Sequence, residues 1–206
     1  MRSTVILIDA GHGGIVEGEY QTSGNRYEGI HMDNPIFLAE GAFNRAVAFG
    51  LQAKLHLNNI PSHIVNPEHE DISLQARARR VNAIARRKTC VLLSIHHNYF
   101  DSSSARGAEF FTSRGDSAAD PIAEHIASFF RGTFPDERLR TNQINPSKLS
   151  KEAGYYILKS TICPAVLTEW GFMSNEHDRR RIFDINSQVD FFTDAIIDLF
   201  ECEHLM

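Results

Sequence analysis

The sequence predicts an α/β fold, a single domain with a twisted, mainly parallel central sheet flanked by helices. Three observations predict it. Continuous apolar runs at residues 4–8, 90–95 and 165–168 have the habit of strands buried on both faces, as in parallel sheets covered by helices. Segments of helical period lie between and after these runs, and strands alternating with helices build a parallel sheet. The length of 206 residues suits one domain, 1–206, rather than two.

Taken in order, residues 4–8 open the chain in the core, and residues 13–34, where Gly, Asn, Glu and Tyr alternate without period, read as a loop. From Glu40 the apolar positions Phe43, Val47, Leu51 and Leu55 recur at helical spacing until Asn58, Asn59 and Pro61 break it, giving a helix of about five turns. A short strand at 62–65 follows. Ser73 can cap a helix whose Leu74, Ala78, Val81 and Ile84 face the core, while Arg77, Arg79, Arg80, Arg86 and Arg87 form a solvated face. After the strand at 90–95 come a strand at 107–112 and a helix at 118–130 with Ile122, Ile126, Phe129 and Phe130 inward. Residues 131–153 are polar and poorly periodic. Residues 155–158 and 165–168 read as two further strands, and 189–200 as a closing amphipathic helix.

Composition narrows the function. Hydrophobic residues at 42% and charged residues at 23% are those of a globular protein. The 21 Lys and Arg against 26 Asp and Glu give a formal charge of -5, which excludes a general nucleic-acid binder. No apolar run approaches the ~18 residues of a membrane span, and residues 5–8 are too short for a signal-peptide core. The expectation is a chain without membrane insertion or signal peptide, made and folded in the cytoplasm. Cys90, Cys163 and Cys202 show neither a disulfide framework nor a zinc-finger spacing and are expected as buried reduced thiols.

Three apolar strands each stop at a residue able to bind metal or move protons: Asp9-Ala10-Gly11-His12, Ser94-Ile95-His96 and Leu167-Thr168-Glu169. In a parallel sheet these ends meet at one edge, where open α/β folds place their sites. Gly11, Gly13 and Gly14 let the backbone around His12 turn tightly toward that edge. Two imidazoles and a carboxylate suit Zn²⁺ with a position left for water, which points to a metal hydrolase. Singly, each histidine could equally cap or fill the core.

The ordered runs Ile8-Asp9-Ala10-Gly11-His12-Gly13-Gly14, Ser94-Ile95-His96-His97-Asn98 and Leu167-Thr168-Glu169-Trp170-Gly171-Phe172-Met173-Ser174-Asn175 resemble the zinc-dependent N-acetylmuramoyl-L-alanine amidases of the Amidase_3 family. That family's third ligand is a glutamate opening a helix, four residues before an asparagine. Glu40-Gly41-Ala42-Phe43-Asn44 matches this frame, and the resemblance extends to Leu74, Arg77, Asn82 and Gly107-Ala108-Glu109. It implies that His12, Glu40 and His96 hold Zn²⁺ and that Glu169 is the catalytic acid and base. The implied substrate is peptidoglycan, cut at the amide between N-acetylmuramic acid and the L-alanine of the stem peptide.

The loop between His12 and Glu40 is longer than the family's, and Glu17, Glu19 and Glu28 inside it compete for the ligand role, Glu28 most of all. A ligand at a helix start is supported by packed neighbours such as Phe43 and Val47, which favours Glu40. His31 in the same loop reads as a solvent-exposed histidine. Side chains alternate along a strand, so Asn98 shares a face with His96 and is a substrate-binding candidate, while His97 points away. Trp170 either packs beneath the site or stacks on a sugar ring. The connection from His96 to residue 107 is too short for the blocking helical insertion that some family members carry. These features suggest a phage or prophage endolysin that stays in the cytoplasm until a holin opens the way to the wall. Other readings are a zinc peptidase or deacetylase acting on another amide, and a wall-binding module without activity.

Overall fold

The computed structural model describes residues 4–23 and 25–202. Its strands are β1 (Val5–Ala10), β2 (Ile15–Val16), β3 (Glu19–Tyr20), β4 (Arg26–His31), β5 (Asn34–Ala39), β6 (Ser62–Ile64), β7 (Cys90–Asn98), β8 (Glu109–Ser113), β9 (Lys151–Ala153) and β10 (Ala165–Phe172). Its helices are α1 (Glu40–Leu57), α2 (Leu74–Ala85), α3 (Asp120–Thr133), α4 (Tyr156–Lys159), α5 (Glu176–Phe183) and α6 (Ile185–Glu201).

Six strands form the central sheet in the order β6-β1-β7-β10-β8-β9. The pairs β1 with β6, β1 with β7, β7 with β10 and β8 with β9 are parallel, and only β10 with β8 is antiparallel. The mainly parallel sheet expected from the apolar runs is therefore the one observed. All six residues of β1 and the first six of β7 are buried, because helices cover both faces. One face packs Ile6, Ile8, Leu93 and Val166 against α1, α3 and α6; the other packs Leu7, Leu92 and Leu167 with α2 and α4. Among the described residues, no helix is long and apolar enough to cross a membrane.

Several expectations are corrected. Residues 13–34 are not a structureless loop but carry two hairpins, β2-β3 and β4-β5. The second closes through Met32 and Asp33, whose φ of 48° and 65° fit the two-residue turn that matches strand twist. Residues 155–158 are not a strand: the apolar run is the single turn α4, which buries Ile157 and Leu158. A short apolar run cannot tell a strand from a buried turn by pattern alone. Strand β9 lies in the stretch read as polar and poorly periodic, and helix α5 in a stretch given no element. Arg77 is no part of a solvated face, being 2% exposed, whereas Leu74 is 45% exposed rather than inward. Of the cysteines, Cys90 is buried, Cys163 partly so and Cys202 exposed.

Candidate metal centre

Strands β1, β7 and β10 are neighbours, and their carboxyl ends deliver His12, His96 and Glu169 to one edge of the sheet. Glu169 lies directly across from His96 in the ladder. Glu40, the first residue of α1, arrives at the same edge, where a helix N-terminus favours a carboxylate. His12 Nε2 lies 3.2 Å from Glu40 Oε2 and His96 Nδ1 lies 3.0 Å from Glu40 Oε1. One donor atom from each of the three falls within 4.8 Å of the others.

The local backbone explains how they fit. A Cβ at Gly11 would overlap the His96 ring, and one at Gly41 would overlap the carbonyl oxygen of Gly13, so both positions require glycine for close approach. His12 itself has φ of 63°, in the left-handed region. Arg77 holds that turn from below: its guanidinium donates to the carbonyl oxygens of Ala10 and His12, each at 3.0 Å, and reaches Asp9 and Asp71. Asn44 Nδ2 donates to the Gly11 carbonyl at 3.0 Å and to Glu40 Oε1 at 3.2 Å, tying α1 to the end of β1.

Burial alone would raise the pKa of Glu40, but hydrogen bonds and charges from His12 and His96 hold it well below the carboxylate range. Burial alone would lower that of His12, and the hydrogen bond and charge of Glu40 reverse this and raise it. Glu169 shows the opposite behaviour to Glu40. Burial, then the charges of Glu40 and Glu109, push its pKa well above the usual range. Its Oε2 is buried without a hydrogen-bond partner. The two carboxylates thus differ in setting: Glu40 is held in its charged form between two imidazoles, whereas burial and neighbouring charges favour the protonated form of Glu169. Two imidazoles and an ionised carboxylate with converging donors fit zinc's ligand preferences, with Glu169 outside that set.

The four residues share a cavity of about 450 Å³ with Asn98, Tyr99, Tyr155 and Tyr156. Asn98 Nδ2 donates to Glu109 Oε2 at 2.9 Å. A larger cavity of about 860 Å³ opens beside Val5 at the other end of β1, and among the described residues its lining holds no carboxylate. Glu28 lies outside the converging donors: it stands on β4 with its side chain 65% exposed, 3.4 Å from Arg26. His31 is only partly exposed and lies with its ring 4.8 Å from that of Phe183.

Trp170 is a correction to the candidate substrate residues. It follows Glu169 on β10, so its side chain leaves the opposite face of the strand, and it is 0% exposed among the rings of Phe130, Phe134, Phe191 and Phe192. No sugar ring can reach it. Sequence reasoning also missed two supporting residues, Asn25 and Gln188. Asn25 Nδ2 donates to Glu40 Oε2 at 3.0 Å and lies 3.0 Å from His12 Nε2, from within a stretch read only as loop. The ring nitrogens of His97 lie 2.7 Å from Asn44 Oδ1 and 3.0 Å from Gln188 Oε1, and burial pushes its pKa down to about 4. The His97 side chain thus leaves the face of β7 opposite to His96 and Asn98, as alternation along the strand requires, while the residue itself still borders the cavity.

The family pattern of Amidase_3, N-acetylmuramoyl-L-alanine amidase, matches residues 6–198. The probable cell wall amidase LytH of Staphylococcus aureus is 25% identical over 199 residues, which are 96% of this chain and 57% of that protein. The chain therefore spans little more than half the length of that curated relative. Among solved structures, an N-acetylmuramoyl-L-alanine amidase from Clostridium difficile 630 superposes with a TM-score of 0.74 at 22% identity, covering 98% of each chain. The amidase AmiC2 of Nostoc punctiforme gives a TM-score of 0.75 at 18% identity over 96% of this chain and 97% of that one. The catalytic domain of the CD27L endolysin gives 0.65 at 18%, over 95% and 97%. These likenesses establish a shared fold, and the match along nearly the whole sequence shows that the chain belongs to the Amidase_3 family of N-acetylmuramoyl-L-alanine amidases.

Proposed function

We propose that the chain is a zinc-dependent peptidoglycan hydrolase that cleaves the amide between N-acetylmuramic acid and the L-alanine of the stem peptide. The observation that carries this reading is the convergence of His12, Glu40 and His96 beside Glu169 in one cavity, within a chain of this family. His12, Glu40 and His96 would hold the ion. When bound, Zn²⁺ supplies Lewis-acid polarisation of the scissile carbonyl and of the attacking water.

The chain's own residues move the protons. Glu169 accepts a proton from water as the water oxygen bonds to the carbonyl carbon. It then delivers that proton to the alanine nitrogen as the carbon–nitrogen bond breaks, leaving a carboxylic acid on the muramyl lactyl group and a free amine on the peptide. A raised pKa suits a group that must both take and return a proton near neutrality. Asn98, fixed by Glu109, is placed to hydrogen-bond the substrate, and Tyr99, Tyr155 and Tyr156 offer faces for sugar or peptide along the cavity wall.

Residues 99–108, between β7 and β8, contain no helix, which supports a cavity that needs no blocking segment removed before it works. An endolysin, acting on the wall after a holin grants access, is the setting this openness favours. The reading is tested with a synthetic muramyl peptide by following the free amine of alanine with an amine-reactive dye. Release that depends on added zinc supports it; release at another bond places the chain among zinc peptidases or deacetylases.

A further inference from the structure

A second set of donors gathers far from the catalytic edge, where α3 packs on α6. Asp198 and Cys202 stand four residues apart at the end of α6 and so share one stripe of that helix, and His125 meets them from α3. His125 Nε2 lies 2.8 Å from Asp198 Oδ2, and Cys202 Sγ lies 4.0 Å from the same oxygen. The three donor atoms all fall within 4.8 Å of one another. The His125 side chain is 16% exposed and that of Asp198 is 41% exposed, with Cys202 open to solvent, so an imidazole held by packing faces two donors free to adjust.

An ion pair joins His125 to Asp198 across the two helices, and the Cys202 thiol donates to the same oxygen, so a nitrogen, an oxygen and a sulfur donor converge on one point. We propose that His125, Asp198 and Cys202 form a second metal site that clamps the end of α6 to α3 and takes no part in hydrolysis. Zinc with ligand distances near 2.0–2.3 Å needs donors ~3.3–3.8 Å apart in a tetrahedron, so movements of about an ångström close the set and leave the fourth position to water. A thiolate with an imidazole selects zinc, cobalt or cadmium over magnesium or calcium. The site is separate from the catalytic one: Cys202 stands about 21 Å further along α6 than Gln188, which touches His97. A further grouping among the described residues, Glu137, His177 and Asp178, carries no such proposal, because Arg181 Nη1 already pairs with Glu137 Oε2 at 2.7 Å and places a cation in the set.

The test is a Co²⁺ titration of the metal-stripped full chain. The catalytic set contains only nitrogen and oxygen donors, so a thiolate-to-cobalt charge-transfer band in the near ultraviolet reports on a cysteine site alone. The expected result is two bound equivalents, one of them producing the band. Cys202→Ser loses the band and one equivalent while keeping the parent's hydrolytic rate, and His12→Ala keeps the band with a single equivalent. His125→Ala and Asp198→Ala weaken the second equivalent at least tenfold. A parent chain that binds cobalt without the band overturns the proposal, as does a band that survives Cys202→Ser, which would come from Cys90 or Cys163. The readout does not depend on which bond the catalytic site cleaves.

Discussion

The guanidinium of Arg77 donates to the carbonyl oxygen of His12 at 3.0 Å from a helix that begins sixty-odd residues later in the chain. Through this contact, and those to Ala10 and Asp9, α2 fixes the left-handed backbone that turns His12 toward Glu40. Arg77→Ala removes the clamp and leaves Asp9 buried without its cation, a loss of about 3–5 kcal/mol in unfolding free energy. Arg77→Lys keeps the charge but not the fork of donors, and its zinc affinity is expected to fall about tenfold or more. Chelator competition checks the affinity and thermal melts check the stability.

Glu169→Gln is expected to bind zinc as the parent does and to lose about 10²–10⁴-fold in kcat, because the amide cannot shuttle a proton. Loss of the metal in this variant would place Glu169 among the ligands and contradict its assigned role. Metal content by elemental analysis beside kinetics on the muramyl peptide separates the two cases.

The same substitution has a pH signature in the metal-free chain. Glu169 holds its proton more tightly when folded than when unfolded, so between the ordinary carboxylate range and its raised folded value the native state retains a proton that the unfolded chain releases. Stability therefore falls as pH rises through that window. Glu169→Gln removes this loss, so the variant is expected to melt above the parent at about pH 8 and to converge with it below the ordinary carboxylate range. Melts across pH in a chelator check the convergence.

Replacing His12 or His96 by Ala is expected to abolish stoichiometric zinc binding. Glu40→Gln is expected to weaken it while leaving the fold intact, since the amide oxygen still accepts from Asn44 and the His97 backbone nitrogen, while the bond from Asn25 and the charge between the imidazoles are lost. Equilibrium dialysis with zinc and circular dichroism report on the two effects.

Trp170→Ala is expected to cost about 3–5 kcal/mol by opening a cavity among Phe130, Phe191 and Phe192. A substitution to Phe is milder, and its KM for muramyl peptide stays at the parent value. A KM that rises with Trp170→Phe at unchanged stability would restore Trp170 to the substrate site.

The meeting of His12, His96 and Glu169 at one edge was legible because each stands where a buried apolar run gives way to polar residues, whereas Glu40 was singled out among the competing glutamates by the family resemblance. The sheet was legible for the same reason, since strands buried on both faces write continuous apolar runs. Arg77 was not legible: at its helical spacing it looks like Arg79 and Arg80, and the partner that makes its burial tolerable, Asp9, is distant in sequence. The hairpin β4-β5 was hidden by its turn, which places Met32 and Asp33 at positive φ where Asn-Gly would have announced it. Asn25 lay in that same stretch, so its hydrogen bond to Glu40 had no local sign.

The proposed cleavage of the muramyl–alanine amide by His12, Glu40, His96 and Glu169 is tested by mass spectrometry of the fragments released from purified peptidoglycan by the EDTA-treated chain and by the same chain with zinc restored. Intact stem peptides beginning with free L-alanine, released only with zinc, are the expected products. Cleavage at another bond, or equal release without the metal, would overturn this mechanism.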